Sequence, residues 1–131
     1  MVYADTDFFL ALLKEKDWLQ KSAIGLLEKY KGQLWTSPAA LMELLLLSKR
    51  HEIDPEKLLT SGLEIAELRG GEPWAFLAAA HYMKERGIGA FDALHAAFCG
   101  KDSEMISSDS VFDKLGLKRI PLEAPAGSSA A

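Results

Sequence analysis

The sequence predicts an α/β domain of three layers, with helices covering both faces of a short, mostly parallel central sheet. Three observations predict it. Short strand-like runs alternate with segments of helical period. The first of those runs is nearly all apolar, as in a strand buried on both faces. Ser-Pro, Asp-Pro and Glu-Pro pairs recur as helix starts between the runs. The chain has 131 residues, a single-domain length that can enclose a core.

Taken in order, Val2 to Asp5 reads as a strand entering a turn at Thr6-Asp7. Phe8, Leu12 and Leu13 then place a helix, and Leu19, Ala23, Leu26, Leu27 and Tyr30 a second one that stops at Gly32. Leu34 to Thr36 is a brief strand. Ser37-Pro38 opens the next helix, with the serine oxygen expected to cap free amides and proline suited to the first helical position. Asp54-Pro55 opens a helix expected to end near Gly70-Gly71, and Glu72-Pro73 opens one closed by Gly87 and Gly89. Ala90 to Phe98 is helical, Met105 to Ser107 a strand, Val111 to Leu115 a short helix and Lys118 to Pro121 a last edge strand. Residues 1–123 form one domain on this reading, and the small residues of 124–131 a flexible tail or an expression remnant.

Composition narrows the setting. Hydrophobic residues make up 49% and charged residues 26% of the chain, as in globular domains. No apolar run approaches the roughly 20 residues of a membrane span, and the first residues lack the basic flank and apolar stretch of a secretory signal. Cys99 is the only cysteine, so no intrachain disulfide can form, and a cytoplasmic location is expected. The net charge of −4 argues against a nucleic-acid binder unless bound cations restore a positive field.

Four carboxylates carry the functional argument. In α/β sheets ligands bind beyond the carboxyl ends of the strands. Asp5 ends the first strand, and Asp109 follows the strand of Met105 to Ser107. Glu43 is a lone acid in the most hydrophobic helix, with Ala39 and Ala40 one turn earlier, so that side has room for a site. Asp92 has Ala93 and Ala96 beside it. Each has an ordinary explanation taken singly: a cap for Asp5 and Asp109, a favourable meeting with the helix dipole for Asp92, a solvent-facing stripe with Arg50 for Glu43. If the acids converge, two charges about 5 Å apart repel by roughly 3 kcal/mol, so the cluster must take up protons or bind cations. Oxygen ligation favours Mg²⁺ or Mn²⁺.

The same residues carry a family resemblance that spans Val2 to about Pro121. The sequence resembles PIN-domain nucleases, in particular the compact toxin type VapC. Tyr3-Ala4-Asp5-Thr6-Asp7 is similar to the opening motif, Ser37-Pro38 with Glu43 to the second, Phe91 to Ala97 to the third, and Ser107-Ser108-Asp109 with Phe112 to the fourth. The resemblance implies a PIN-like fold and metal-dependent hydrolysis of RNA phosphodiester bonds, leaving 5′-phosphate and 3′-hydroxyl ends. It makes Asp5, Glu43, Asp92 and Asp109 metal ligands or ligand-orienting groups, with Ser107 and Thr6 as supporting hydrogen-bonding groups. It also implies a homodimer and an antitoxin partner. Asp7 departs from the motif, which usually has a neutral polar residue there.

Other residues rank lower. Asp92, His95 and Cys99 share i, i+3, i+7 spacing, but a zinc site lacks a fourth ligand, and a packed helix-face histidine is the expectation for His95. His51 and His81 have no visible catalytic role. Lys14, Lys16, Lys49, Arg50, Lys84 and Arg86 are solvated charges that an RNA backbone can use, and Trp18, Trp35 and Trp74 are expected in core or interface. Two competing functions stand beside the nuclease: a haloacid-dehalogenase-like phosphotransferase using Asp5 as nucleophile and Asp7 as acid/base, and a non-catalytic PIN-like interaction protein.

Overall fold

The computed structural model describes residues 1–124; the tail expected from 124 onward lies, beyond Ala124, outside the described residues. Five strands form one sheet: β1 (Val2–Ala4), β2 (Leu34–Thr36), β3 (Glu67–Leu68), β4 (Glu104–Ser107) and β5 (Lys118–Pro121). Seven helices lie between them: α1 (Thr6–Leu13), α2 (Gln20–Lys29), α3 (Pro38–Arg50), α4 (Pro55–Ile65), α5 (Pro73–Arg86), α6 (Ala90–Cys99) and α7 (Val111–Lys114). The strand order is β3-β2-β1-β4-β5, and every pairing is parallel. None of the helices is long and apolar enough to cross a membrane among the described residues.

The alternation along the strands divides the core. Val2 and Ala4 of β1, Leu34 of β2 and Ile106 of β4 pack on one face with Phe8, Phe9 and Ala11 of α1, Ala23 and Leu26 of α2, Leu44 of α3 and Leu58 of α4. Tyr3, Trp35 and Met105, each one residue out of phase with those, pack on the other face with Ala75 of α5, Ala96, Phe98 and Cys99 of α6 and Phe112 of α7. A period of two along a strand produces this split, and burial on both faces explains why these strands read as continuous apolar runs.

Two expectations are corrected. The helix opened by Asp54 ends at Ile65, well before Gly70, because Glu67 and Leu68 pair in parallel with Trp35 and Thr36 and extend the sheet by a strand. Both residues of β3 are exposed, so they carry no apolar signal. Asp54 itself caps as expected, accepting from the amides of Glu56 and Lys57. Ser37 does not cap α3: its hydroxyl is buried and meets the Tyr3 hydroxyl at 2.7 Å. Proline at the first helical position removes one free amide in any case, which leaves the serine available for that contact. Gly87 closes α5 in the left-handed conformation, φ 65°, which glycine adopts without a Cβ clash.

The strand order positions the site. From β1 the chain moves outward through β2 to β3, then returns to the far side of β1 to lay down β4 and β5. The connections therefore diverge at the boundary between β1 and β4, which opens a crevice at the carboxyl ends of those strands. Asp5 and Ser107 meet across that boundary.

Candidate active site

Each functional side chain is set by a different element. Asp5 directly follows β1 and is the N-cap of α1, with its Oδ1 accepting from the Thr6 amide at 2.7 Å. Its Oδ2 accepts from the Ser107 hydroxyl at 2.7 Å, a bond between the ends of β1 and β4. Ser107 Oγ also accepts the Asp109 amide at 3.0 Å, so one hydroxyl orients both the first carboxylate and the turn that carries the last. Asp7, one residue inside α1, uses Oδ2 to accept from the Ser108 amide and hydroxyl, fastening the loop after β4 to the start of α1. Glu43 projects from the middle of α3 and Asp92 from the first turn of α6.

Asp5, Asp7, Glu43, Asp92 and Asp109 line one open depression of about 460 Å³, together with Thr6, Ser108 and Ser110 and the apolar Leu10 and Leu47. No lysine or arginine is among its lining residues. The ordinary explanations and the shared site coexist. Asp5 caps α1, and Asp109, at the exposed rim, accepts from the Val111 amide at 2.9 Å in the turn just before the cap residue of the short α7. Glu43 is half-buried rather than part of a solvated stripe with Arg50. Asp92 is half-buried and has no hydrogen-bond partner among the described residues.

His95 is the residue that spacing undervalued. It is packed on α6 as expected, with 1% of its surface exposed, yet it is also wired into the acids. Its Nε2 lies 2.9 Å from Glu43 Oε1, 3.2 Å from Asp5 Oδ1 and 3.3 Å from Thr6 Oγ1. Its Nδ1 lies 2.6 Å from the hydroxyl of the fully buried Tyr3. Helical spacing from Asp92 pointed to a shared face, but nothing in the sequence linked His95 to Glu43 or Tyr3, which are 52 and 92 residues away. The zinc constellation of Asp92, His95 and Cys99 does not form. The Cys99 thiol donates to the Ser103 carbonyl, and burial pushes its pKa up to about 12. Asp5, Glu43 and His95 are the three residues that bring ligand atoms within 4.8 Å of one another among the described residues.

The electrostatics are those of an under-neutralised acidic cluster. Burial raises the pKa of Asp5, against the opposing pull of His95, Ser107 and the Thr6 amide. Burial and the charge of Asp5 push Asp7 up to about 7. Burial raises Asp92 too, reinforced by Asp109 and Asp5. Glu43 goes the other way: burial opposes ionisation, but His95 and the Thr6 hydroxyl outweigh it and hold the carboxyl below its usual range. For His95 burial favours the neutral ring, and the charges of Asp5, Glu43 and Asp92 overcome it. One atom is stranded. Asp7 Oδ1 is buried without a hydrogen-bond partner among the described residues, an arrangement that costs on the order of 1–3 kcal/mol in a neutral group and more in a charged one. An oxygen-rich donor set with an orphaned carboxylate oxygen and no lysine or arginine among the lining residues fits a hard divalent cation. A phosphotransferase reading fits less well, because Asp7 is engaged by Ser108 and no lysine lines the depression.

Comparison with known proteins agrees with this fold. No match was found among curated proteins. Among solved structures the chain is similar to VapC20 of Mycobacterium tuberculosis, described as a Sarcin-Ricin loop cleaving toxin. The TM-score is 0.76 and the identity 19%, over 89% of this chain and 96% of that one. It is also similar to a chain of VapBC2 from Rickettsia felis bound to promoter DNA, with TM-score 0.71 and 16% identity over 92% and 98% of the two chains. A toxin-antitoxin complex from Klebsiella pneumoniae gives TM-score 0.72 and 15% identity over 93% and 98%. The family profile described as PIN domain matches residues 2–118, nearly the whole chain. That match over nearly the whole chain shows that this chain belongs to the PIN-domain family.

Proposed function

We propose that the protein is a metal-dependent endoribonuclease acting at the depression lined by Asp5, Glu43, Asp92 and Asp109. The observation that carries the reading is the gathering of these acids, with Asp7, at the carboxyl end of a parallel sheet with no lysine or arginine lining the depression. Asp5, Glu43, Asp92 and Asp109 would hold Mg²⁺ or Mn²⁺. The cation's contribution when bound is to lower the pKa of a water and offset charge on the scissile phosphate and leaving oxygen. The protein's own part is positional. Ser107 and the Thr6 amide fix both oxygens of Asp5, and Asp7 fastens the loop that presents Asp109. The open mouth of the depression admits a polymer backbone, and the expected products carry 5′-phosphate and 3′-hydroxyl ends.

A role as the toxin of a toxin-antitoxin pair goes with this reading, supported by likeness to structures described as VapBC and toxin-antitoxin complexes. Exposed apolar side chains on α3 and α5, among them Leu46 at 67%, Trp74 at 65% and Leu77 at 74%, support coverage by an antitoxin or a second copy of the chain. A cytoplasmic location is part of the same proposal.

The test is cleavage of labelled single-stranded RNA with Mg²⁺ or Mn²⁺. Asp5→Asn and Asp92→Asn should each lower the rate at least about 100-fold, with far-UV circular dichroism and melting preserved. Retention of full activity by both variants would remove the site from the mechanism.

A further inference from the structure

Tyr3, Ser37 and His95 form a buried chain of polar groups that ends on two of the proposed metal-holding acids, and nothing in the nuclease reading requires it. Tyr3 and Ser37 are fully buried and His95 nearly so, in a core that otherwise packs alanine, tryptophan, phenylalanine and methionine. Buried polar side chains are costly unless satisfied, so each member of such a chain needs its neighbour. The end is Glu43, whose Oε1 faces His95 Nε2, and an ionised carboxylate only accepts. The histidine nitrogen 2.9 Å from it must therefore carry the proton. Nε2–H is turned to Glu43 and, at 3.2 Å, to Asp5, and Nδ1 on the other side of the ring meets the Tyr3 hydroxyl at 2.6 Å. The Tyr3 hydroxyl also meets the Ser37 hydroxyl at 2.7 Å. Each of the three side chains has a hydrogen-bond partner within the chain.

We infer that His95 is a positioning residue that spans Asp5 and Glu43 through Nε2–H and sets their separation for a divalent cation, rather than a ligand that binds the cation itself. Tyr3 holds the ring in place from behind through its contact with Nδ1, and Ser37 orients Tyr3. Asp5 reaches the site from the end of a strand and Glu43 from the middle of a helix. Without a donor between them, two carboxylates would approach from independent elements with nothing to hold them at a common spacing. Groups that orient metal-holding side chains in this way are worth about 10–100-fold in metal affinity.

This inference rests on the metal-dependent reading, and Mn²⁺ alone is the probe that separates the two. Pulsed EPR of the unsubstituted protein loaded with Mn²⁺ should lack the modulation of a directly coordinated nitrogen. By calorimetry, His95→Leu should bind Mn²⁺ about 10–100-fold more weakly, while His95→Gln, which keeps an N–H donor near the same place, should stay within about threefold. A coordinated nitrogen, or equal loss in both variants, would overturn the positioning role while leaving the metal site standing. Failure of the unsubstituted protein to bind Mn²⁺ at all would overturn both readings. The spectrum needs no substitution, so it decides the matter even if His95→Leu does not fold.

Discussion

Asp7→Asn should stabilise the metal-free protein, and the size of the gain should depend on pH. In the folded chain burial and the neighbouring Asp5 lift Asp7 from an ordinary 3.8 to about 7. The sign follows from proton counting. Between those values the folded state holds a proton that the unfolded chain has released, so stability falls as pH rises through that window. About 3 units at 1.36 kcal/mol each set a ceiling near 4 kcal/mol above pH 7. Asparagine retains an acceptor for Ser108 but not the negative charge, and part of the relief goes to Asp5, so roughly 1–3 kcal/mol of it should be recovered. At about 3–4 °C per kcal/mol for a chain of this size, that is a rise in Tm of roughly 3–12 °C at pH 8. Melting both proteins in chelator from pH 4 to 8 should show curves that nearly coincide at pH 4 and separate as pH rises. Saturating Mn²⁺ should narrow the gap by neutralising the same charge. A constant offset across the pH range, or a less stable Asp7→Asn at pH 8, would refute the reasoning.

Other outcomes follow from the same geometry. Mn²⁺ at about 100 times its Kd should raise the stability of the unsubstituted protein by about 2.7 kcal/mol, and that gain should be lost in Asp5→Asn. Tyr3→Phe should cost about 1–3 kcal/mol in urea unfolding, because His95 Nδ1 and Ser37 Oγ both lose their partner. Ser37→Ala should show no independent capping loss: in a double-mutant cycle its effect should largely vanish once Tyr3 is phenylalanine, and additive costs would restore the capping role. Arg119→Met should cost about 1–2 kcal/mol that persists in 1 M NaCl, since its guanidinium donates to the Ser107 carbonyl at 2.9 Å as well as pairing with the exposed Asp113 and Glu123. A loss that disappears in salt would assign its role to the ion pairs alone.

Much of the architecture was legible because local chemistry and tertiary context agree. Val2-Tyr3-Ala4 has apolar residues in both phases of the period, which only a central strand requires, and Asp54-Pro55 is a helix start wherever it is placed. Strand β3 was not legible, because two exposed residues whose role is to extend a sheet edge have no periodicity to read. The candidate site was half legible. Asp5 and Asp109 could be placed by their position after strands, and the motif order added Glu43 and Asp92. The links between them could not be read. Ser37 carries the chemistry of a cap, and only the depth at which Tyr3 lies explains why its hydroxyl turns inward. His95 looked like packing because it is packing on one side and a hydrogen-bond donor on the other. The paired hydrogen bonds from Ser108 to Asp7 give the unexpected acid a structural role at Oδ2, while Oδ1 has no partner among the described residues.

The strand order also carries a consequence for synthesis. The Ser107 hydroxyl that fixes Asp5 lies 102 residues along the chain, and β1 has β4 as its neighbour on one whole side. During translation at about 5–20 residues per second, Asp5 precedes its partner by roughly 5–20 s. For that interval the acids made first have neither the hydroxyl nor the loop that arranges them. A chain that cuts RNA would thus be harmless to the message and ribosome producing it until the fourth strand docks. Competence would arrive as one late event, which leaves a partner protein time to be present when it does.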